Sequence, residues 1–547
     1  MLFLLALGVC WVYLVTPVAL EHKRHSGDIL RDVASALNIQ HGHVLADPAY
    51  RGETIWYPPL SPLLAAGASS LLEITPTDVY LWSQLLFNWM IPVGLYLVVR
   101  MQWGRRAAMT ATVALLLAVP WWQASVCRGQ ASVHAVVWGW VVLLLYAKQW
   151  GTLCPRRPTV CRDADRCETA SPRTALAWAI ACGLAQGIAF WHHPVLPAVL
   201  AIAFLLQSAW ACRGTAREPN APTLMRKVLR REALILALTF AVAAPILYLI
   251  LHGQELNPEP REHIADELRT ADFPLMHYNV WIWVMGLVGV FSCARGRNLG
   301  SRLLVAGLVV CAVGQVPGYA RIFELPGATH VPVVVPHEFQ LLFQLAWAVC
   351  VGVGVDETLT YLGVRVRFLR LRPLALGWLT LPALVLTGVW GVPGVRKNLV
   401  HFLHHYGPKH ADFRAAADWI RHNTDMDDLF LCDRDLAFGW LSPQTGRKVW
   451  VAGHGHSNPR VDWYGRVRQL DQMAAITAPE EFWRMARDRG ADYCILRAQS
   501  SWSPRVLTDP ALGRITVPTY LEPVFVSSRI HILKVIAQPR PDTMNRS

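Results

Sequence analysis

Two carboxylates near the start of the chain have a type and a spacing that could do chemistry. In the stretch 28–37, DILRDVASAL, Asp28, Asp32 and Ser35 follow at i, i+4 and i+7, on one face of a helix. The opposite face carries an apolar stripe made of Ile29, Val33, Ala36 and Leu37. Acidic groups at a membrane surface are costly unless they are solvated or used, so this loop is a candidate active site that could move a proton. The alternative is a solvated loop whose Asp residues only cap a helix.

A second polar cluster follows in the same loop. It consists of Asp47, Arg51 and Glu53, and it precedes the turn Tyr57-Pro58-Pro59-Leu60. After the turn, residues 60–73 are apolar but too short to span a bilayer, so we expect a helix in the outer membrane interface. The whole outer loop, 21–78, is therefore predicted to contain interfacial helices.

The composition indicates that a membrane protein positions these residues. Of 547 residues, 53% are hydrophobic and 16% are charged, whereas soluble domains average about 25% charged residues. The net charge of +13 is concentrated in short loops between apolar runs, and no nucleic-acid recognition motif accompanies it. We therefore predict an α-helical polytopic integral membrane protein that binds no nucleic acid.

Eleven apolar runs are predicted to be transmembrane helices. They lie near 2–20, 79–99, 107–125, 131–147, 174–191, 194–212, 233–252, 279–294, 303–320, 337–355 and 373–391. With the N-terminus inside, the cytoplasmic loops carry 22 Lys and Arg residues and the outer loops carry 8. These cytoplasmic loops are 100–106, 148–173, 213–232, 295–302 and 356–372. Because positive residues favour the cytoplasmic side, this orientation places the C-terminal region outside.

The C-terminal segment has the pattern of a soluble α/β domain. Helices are predicted over 411–423 and 479–490, and the second begins with Pro479 and ends at Gly490. Strands are predicted over 429–433, 448–453, 492–496 and 531–535. Alternating helices and strands predict a small α/β sandwich with a parallel core. We thus expect a membrane domain over 1–395 and an outer α/β domain over 396–547, with Cys432 and Cys494 as buried thiols.

This arrangement resembles the GT-C superfamily of integral-membrane glycosyltransferases, which includes protein O-mannosyltransferases and aminoarabinose transferases. The resemblance covers the order of the elements along the chain. Its residue-level part is confined to Gly27-Asp28, the stretch from Asp47-Pro48 to Glu53, and Tyr57-Pro58-Pro59-Leu60. It implies an inverting glycosyltransferase that moves a sugar from a polyprenyl-phosphate carrier to a glycan, lipid or protein acceptor.

The resemblance also implies roles for individual residues. The first-loop Asp, which acts as general base or orients the acceptor, falls on Asp28, with Asp32 as its rival. Further substrate-binding candidates are Glu53 and Tyr57 in the first loop and a set of cationic residues for the leaving phosphate: Arg51, His192, His193, Arg321 and His337. At the start of the tenth span similar enzymes often carry an Arg, whereas this chain has His337 and Glu338.

No cofactor is assigned from the sequence, although a divalent metal stays open. The loop 253–278 is acidic, but a solvated loop is the favoured explanation, and His454 and His456 stand alone in the C-terminal segment. The expected partners are the lipid-linked sugar donor, membrane lipid and an unidentified acceptor. The expected location is a bacterial inner membrane, with the C-terminal domain in the periplasm or outside the cell. The alternatives are a lipid or glycan transporter or flippase and a non-catalytic membrane scaffold.

Overall fold

The computed structural model divides the chain into two compact units. It describes residues 27–118, 131–153, 172–215, 221–251, 280–296, 298–315, 336–366, 411–452, 458–497, 502, 504, 508–509, 514–515 and 520–536. The first unit comprises Met1–Lys23, Leu81–Leu251 and Ile264–His404. The second comprises Arg24–Tyr80, His252–His263 and His405–Ser547. Residues of the first loop therefore group with the C-terminal segment.

The first unit is helical wherever the structure describes it. Its helices, with α3 beginning in the second unit, are α3 (Pro76–Trp103), α4 (Arg105–Val113), α5 (Ala131–Leu153), α6 (Pro172–His192), α7 (Val195–Thr215), α8 (Ala221–Leu251), α9 (Val280–Arg295), α10 (Leu299–Val313) and α11 (Pro336–Val366). By length and composition, five helices among the described residues could cross a membrane: Pro76–Trp103, Arg173–His192, Val195–Arg213, Met225–Leu249 and Phe339–Leu362. These apolar helices identify an integral membrane protein.

Two predicted spans form one sharply bent pair. Helices α9 and α10 meet at 119°, so together they supply at most a sixth span. The bend is fixed locally, because the side chain of Asn298 accepts a hydrogen bond at 2.7 Å from the backbone N–H of Ser301 and caps α10. The predicted spans 2–20 and 373–391 lie outside the described residues, so the count of eleven stays a prediction.

Glycines allow two helices of this unit to approach closely. A Cβ atom on Gly289 of α9 would lie 1.9 Å from the carbonyl oxygen of Cys350 on α11. A Cβ atom on Gly354 of α11 would likewise lie 1.9 Å from the carbonyl oxygen of Met285 on α9. Small residues at such a crossing let helix backbones pack directly, as is common among membrane helices.

The second unit combines two first-loop helices with a mixed sheet. The helices of the loop are α1 (Gly27–Gln40) and α2 (Leu60–Leu72), which confirms both predicted helices. The C-terminal elements are α12 (Ala411–Asn423), β1 (Leu429–Leu431), β2 (Lys448–Val449), α13 (Trp463–Ala475), α14 (Pro479–Asp488), β3 (Tyr493–Arg497), β4 (Thr508–Asp509), β5 (Arg514–Ile515), β6 (Leu521–Val526) and β7 (Ile530–Val535).

The main sheet has the strand order β2-β1-β3-β7-β6. Strand β1 pairs in parallel with β2 and with β3, whereas β7 pairs antiparallel with β3 and with β6. The predicted parallel core is therefore present, with an antiparallel extension that the sequence did not predict. The strand predicted over 448–453 is limited to Lys448–Val449. Cys432 and Cys494 are buried free thiols, as predicted.

Candidate functional site

The helix that carries the candidate carboxylates is held by an apolar core. Ile29, Val33 and Ala36 of α1 are each at most 1% exposed. They pack against Ala65 and Ala66 of α2. The apolar stripe predicted from the sequence thus anchors α1, and burial of such side chains stabilises the helix by about 1.5–3 kcal/mol for each large one.

Asp32 is buried beside a cation that the sequence analysis did not single out. The Nε and Nη2 atoms of Arg31 each donate to Oδ1 of Asp32 at 3.2 Å, and Asp32 is 1% exposed. The Arg31 guanidinium lies 3.5 Å from the ring centroid of Tyr57 and 5.9 Å from the ring centroid of Trp56. A cation–π contact with Tyr57 therefore positions Arg31. Charge-assisted hydrogen bonds from Arg31 in turn position Asp32.

The polar face of α1 is also covered. Ser35 Oγ donates to the carbonyl oxygen of Arg31 at 3.0 Å, and Asn38 Nδ2 donates to the carbonyl oxygen of Asp47 at 3.2 Å. Helix α1 additionally contacts the short helical turns between 437 and 445. The predicted helix is present, but Asp32 lies inside the protein and not on a solvated face. Asp28 lies in the first turn of α1, and its side chain is outside the described residues.

Asp47 is the second buried carboxylate of the loop, and its partners are of another kind. Its carboxylate accepts from the backbone N–H groups of Ala49 at 2.8 Å and Tyr50 at 2.9 Å, and from Asn458 Nδ2 at 2.8 Å. Burial raises the pKa of Asp47, while these hydrogen bonds and the charge of Lys448 lower it. Lys448 Nζ donates to the carbonyl oxygen of Asp47 at 2.7 Å, and burial lowers the pKa of Lys448 to about 8.

Further hydrogen bonds connect the first loop to the C-terminal segment. The N–H of Val449 in β2 donates to the carbonyl oxygen of Ala49 at 2.7 Å, and the N–H of Ala452 donates to the hydroxyl of Tyr50 at 3.0 Å. The Arg466 guanidinium lies 5.1 Å from the Tyr50 ring centroid. The first loop thus adds to the edge of the C-terminal sheet, in a position that no local sequence pattern predicts.

Arg51 and Glu53 lie in the same turn. The guanidinium of Arg51 forms an ion pair with Asp492 and donates to the carbonyl oxygens of Asp427 and Gly490. The backbone carbonyl of Glu53 accepts from the N–H of Asp47 at 2.8 Å. These contacts are structural; the substrate-binding roles of both residues stay predictions.

The remaining candidates belong to the first unit or to undescribed positions. His192, the last residue of α6, is 2% exposed, and its ring centroid lies 5.7 Å from that of His134 and 6.5 Å from that of Trp138. His193 is also buried. Arg321 and the side chain of His337 lie outside the described residues. The structure therefore brings Asp32 and Tyr57 together, and groups Arg51 with Glu53.

In the described parts of the chain, no three His, Cys, Asp or Glu side chains are grouped so that they could hold a metal ion. The acidic loop 253–278, His454 and His456 lie outside those parts.

The residues that the sequence analysis missed are Arg31, Lys448 and Asn458. Arg31 could have been found, because it lies between Asp28 and Asp32 on a short helix. Lys448 also carries a signal: a lysine that opens an apolar strand, KVWV, must find a buried partner. Nothing local indicates that this partner is Asp47.

Comparison with solved structures identifies the fold. The oligosaccharyltransferase of Archaeoglobus fulgidus, tethered to an acceptor peptide, matches with a TM-score of 0.59 and 10% identity over 90% of this chain and 68% of that chain. ArnT from Cupriavidus metallidurans, bound to undecaprenyl phosphate, matches with a TM-score of 0.55 and 13% identity over 98% of both chains. The fold is GT-C-like.

A third GT-C-like match is a mutant form of the mycobacterial arabinofuranosyltransferase AftD, with a TM-score of 0.56 and 16% identity. The alignment covers 98% of this chain and 41% of that chain. No protein-family model matches the sequence, and no curated protein matches it significantly. At these identities the likeness establishes the GT-C-like fold and leaves the reaction to be argued from the site.

Proposed function

We propose that the protein is a membrane glycosyltransferase that moves a sugar from a polyprenyl-phosphate carrier to an acceptor on the non-cytoplasmic face. The observation that carries this proposal is the first-loop helix α1, which begins at Gly27-Asp28 and holds Asp32 buried beside Arg31 and Tyr57 within a GT-C-like fold. The undecaprenyl phosphate bound to ArnT supports a carrier of this class for a chain that aligns over almost its whole length.

In the proposed reaction Asp28 is the general base, and Asp32 is its rival. The carboxylate takes the proton of the acceptor hydroxyl, the acceptor oxygen forms a bond to the anomeric carbon, and the bond from that carbon to the phosphate oxygen breaks. The polyprenyl phosphate leaves with both electrons of that bond. A single displacement inverts the anomeric configuration, and cations near the phosphate stabilise its charge. We assign this last role to candidates among Arg51, His192, His193, Arg321 and His337.

The proposed topology follows the charge distribution. We propose eleven spans, with the membrane domain over 1–395 and the segment 396–547 outside the inner membrane. Protease added to the outer face of intact spheroplasts should cleave this segment. A fully protected segment, in preparations where a known outer protein is cleaved, contradicts the topology.

The reaction is tested by transfer from a radiolabelled lipid-linked sugar to membrane acceptors, measured at matched expression. The unaltered protein should transfer label, and Asp28→Asn should transfer it about 10²–10⁴ times more slowly, because general acid–base catalysis contributes about this factor. Glu480→Gln, at a carboxylate whose side chain is 62% exposed, is the matched control and should transfer at the parental rate. Movement of intact lipid-linked sugar across a reconstituted bilayer, without transfer, would instead indicate a flippase.

A further inference from the structure

An apolar cavity in the helical unit is lined by none of the described residues that are proposed for sugar transfer. It has a volume of about 140 Å³ and is lined by residues of α3, α5, α7, α10 and α11. Its lining side chains are aliphatic or aromatic almost throughout, and Gln102 supplies its one side-chain amide. An apolar cavity of about 150 Å³ stays dry and takes up a small hydrocarbon, so this volume suits a segment of a hydrocarbon chain.

Glycines leave room for such a chain. Gly307 of α10 lines the cavity, and a Cβ atom added there would have no atom within 4 Å. The space beside α10 is therefore unfilled at the point where other helix residues would place a side chain. In a bilayer the molecule that fills an apolar space between helices is lipid.

Arginines adjoin, in sequence, the residues that line one end of the cavity. Gln102 and Trp103 at the end of α3 and Gly300 at the start of α10 line this end. Arg100 lies between two lining residues, Val99 and Met101, and Arg302 precedes the lining residue Leu303.

A further arginine is close in sequence, because Arg105 follows the lining residue Trp103 by two positions and is exposed. Two carboxylates lie nearby: Asp356 is paired with Arg106 at 2.7 Å, and Glu357 is its neighbour, so the three arginines outnumber the carboxylate that is left. Both cationic segments, 100–106 and 295–302, are on the cytoplasmic side in the orientation derived from charge.

We propose that this cavity binds an anionic phospholipid of the cytoplasmic leaflet. A segment of one acyl chain occupies the apolar cavity, and the phosphodiester headgroup is held by Arg100, Arg105 and Arg302. Basic pockets between membrane helices on the cytoplasmic side are suited to anionic headgroups, and each Arg near the surface contributes to the attraction. The charge argues for an anionic lipid over a zwitterionic one. The site is independent of the sugar-transfer reaction, which is proposed for the opposite face.

Native mass spectrometry of the full-length protein in detergent tests the site. The probes are phosphatidylglycerol and phosphatidylcholine with identical acyl chains, and undecaprenyl phosphate. Phosphatidylglycerol should bind at least about tenfold more tightly than phosphatidylcholine. Gly307→Leu should abolish this preference by filling the cavity, and it should fold, since leucine favours helix more than glycine does. Gly67→Leu, at an exposed glycine of α2 with equally open space, is the control and should bind as the parent does.

The charge component has its own pair of variants. Arg100→Gln with Arg302→Gln should weaken phosphatidylglycerol binding on the order of tenfold. Arg226→Gln with Arg230→Gln, at two exposed arginines of α8, removes the same charge elsewhere and should leave binding unchanged. Equal binding of the two phospholipids, or binding that survives Gly307→Leu, overturns the proposal. Binding of undecaprenyl phosphate alone at this site overturns it as well and assigns the cavity to the sugar carrier.

Discussion

Two buried carboxylates of one loop, Asp32 and Asp47, differ in what surrounds them. Asp32 accepts hydrogen bonds from Arg31, its neighbour in sequence, which stacks on Tyr57. Asp47 is bound by two backbone N–H groups and by Asn458, more than 400 residues away. Both side chains are at most 2% exposed, so burial alone does not separate them.

The difference lies in what the partners can do. The hydrogen bonds of Asp47 close a turn and fasten it to the C-terminal segment, so this carboxylate is a structural element. Helix α1, which carries Asp32, is held by its own apolar core, and Asp28 lies in its first turn. Asp32 is therefore the better active-site candidate of the two, because Asp47 serves to fasten distant parts of the chain.

The largest expected structural effect is that of Asp47→Ala. This change removes one of the two carboxylate charges that act on buried Lys448, and two N–H groups lose their acceptor, which should destabilise the second unit by about 3–5 kcal/mol. Thermal unfolding followed by Trp fluorescence measures it. Glu480→Ala removes a pair whose side chains are 63% and 62% exposed and should change stability by less than about 1 kcal/mol. An unchanged melting temperature for Asp47→Ala would contradict the structural role of this residue.

The buried amine of Lys448 should give stability a pH dependence. Its pKa is about 8 in the folded protein, against 10.5 as the ordinary value. Between these pH values the unfolded chain binds more protons, so stability rises as the pH rises from about 8 to 10.5. Relative to Lys448→Met, which does not titrate, the parent should gain up to about 3 kcal/mol over this window. Parallel stability curves for the two proteins would contradict the lowered pKa of the buried amine.

The variant Arg51→Ala tests whether Arg51 has only a structural role or also binds the substrate. Its guanidinium already meets one carboxylate and two backbone carbonyl groups of the C-terminal segment, and Arg51→Ala should cost about 1–2 kcal/mol of stability. If Arg51 also holds the leaving phosphate, the KM for the donor rises as well. A donor KM equal to that of the parent, together with lower stability, would limit Arg51 to the structural role.

The smallest expected effect is that of removing the Tyr57 ring, which positions Arg31. Tyr57→Leu removes the ring beneath the guanidinium, a contact of about 1–2 kcal/mol, and should slow transfer about tenfold or less. Tyr57→Phe keeps the ring and should restore most of the rate. Equal rates for the leucine variant and the parent would show that the position of Arg31 does not affect the reaction.

The periodicity of apolar residues in the sequence predicted those helices and strands in which buried side chains recur at regular intervals. The stripe of α1, the apolar α2 and the strands around Cys432 and Cys494 are of this kind. Strand β6 was missed because Pro523 interrupts it, and proline argues against a paired strand. Helix α13 was missed because its sequence is mostly polar and buries Trp463, Leu470 and Met473.

The site was predictable to the extent that it is local. The Asp28–Asp32 spacing defines a helix face, so the helix could be predicted from residues four apart. The hydrogen bond from Lys448 to the carbonyl oxygen of Asp47 joins positions 401 residues apart. The periodicity of apolar residues along the chain gives no information about such a pair. The substrate roles of His192, His193, Arg321 and His337 have no local pattern of this kind behind them and stay predictions.

The most direct test compares Asp28→Asn, Asp32→Asn and Asp47→Asn for the rate of sugar transfer and the melting temperature, at matched membrane expression. We expect Asp28→Asn to lose most transfer with an unchanged melting temperature, Asp32→Asn to lose less, and Asp47→Asn to lose stability. If Asp32→Asn alone is inactive, the base is Asp32. Parental transfer rates in both Asp28→Asn and Asp32→Asn would contradict an active site on α1.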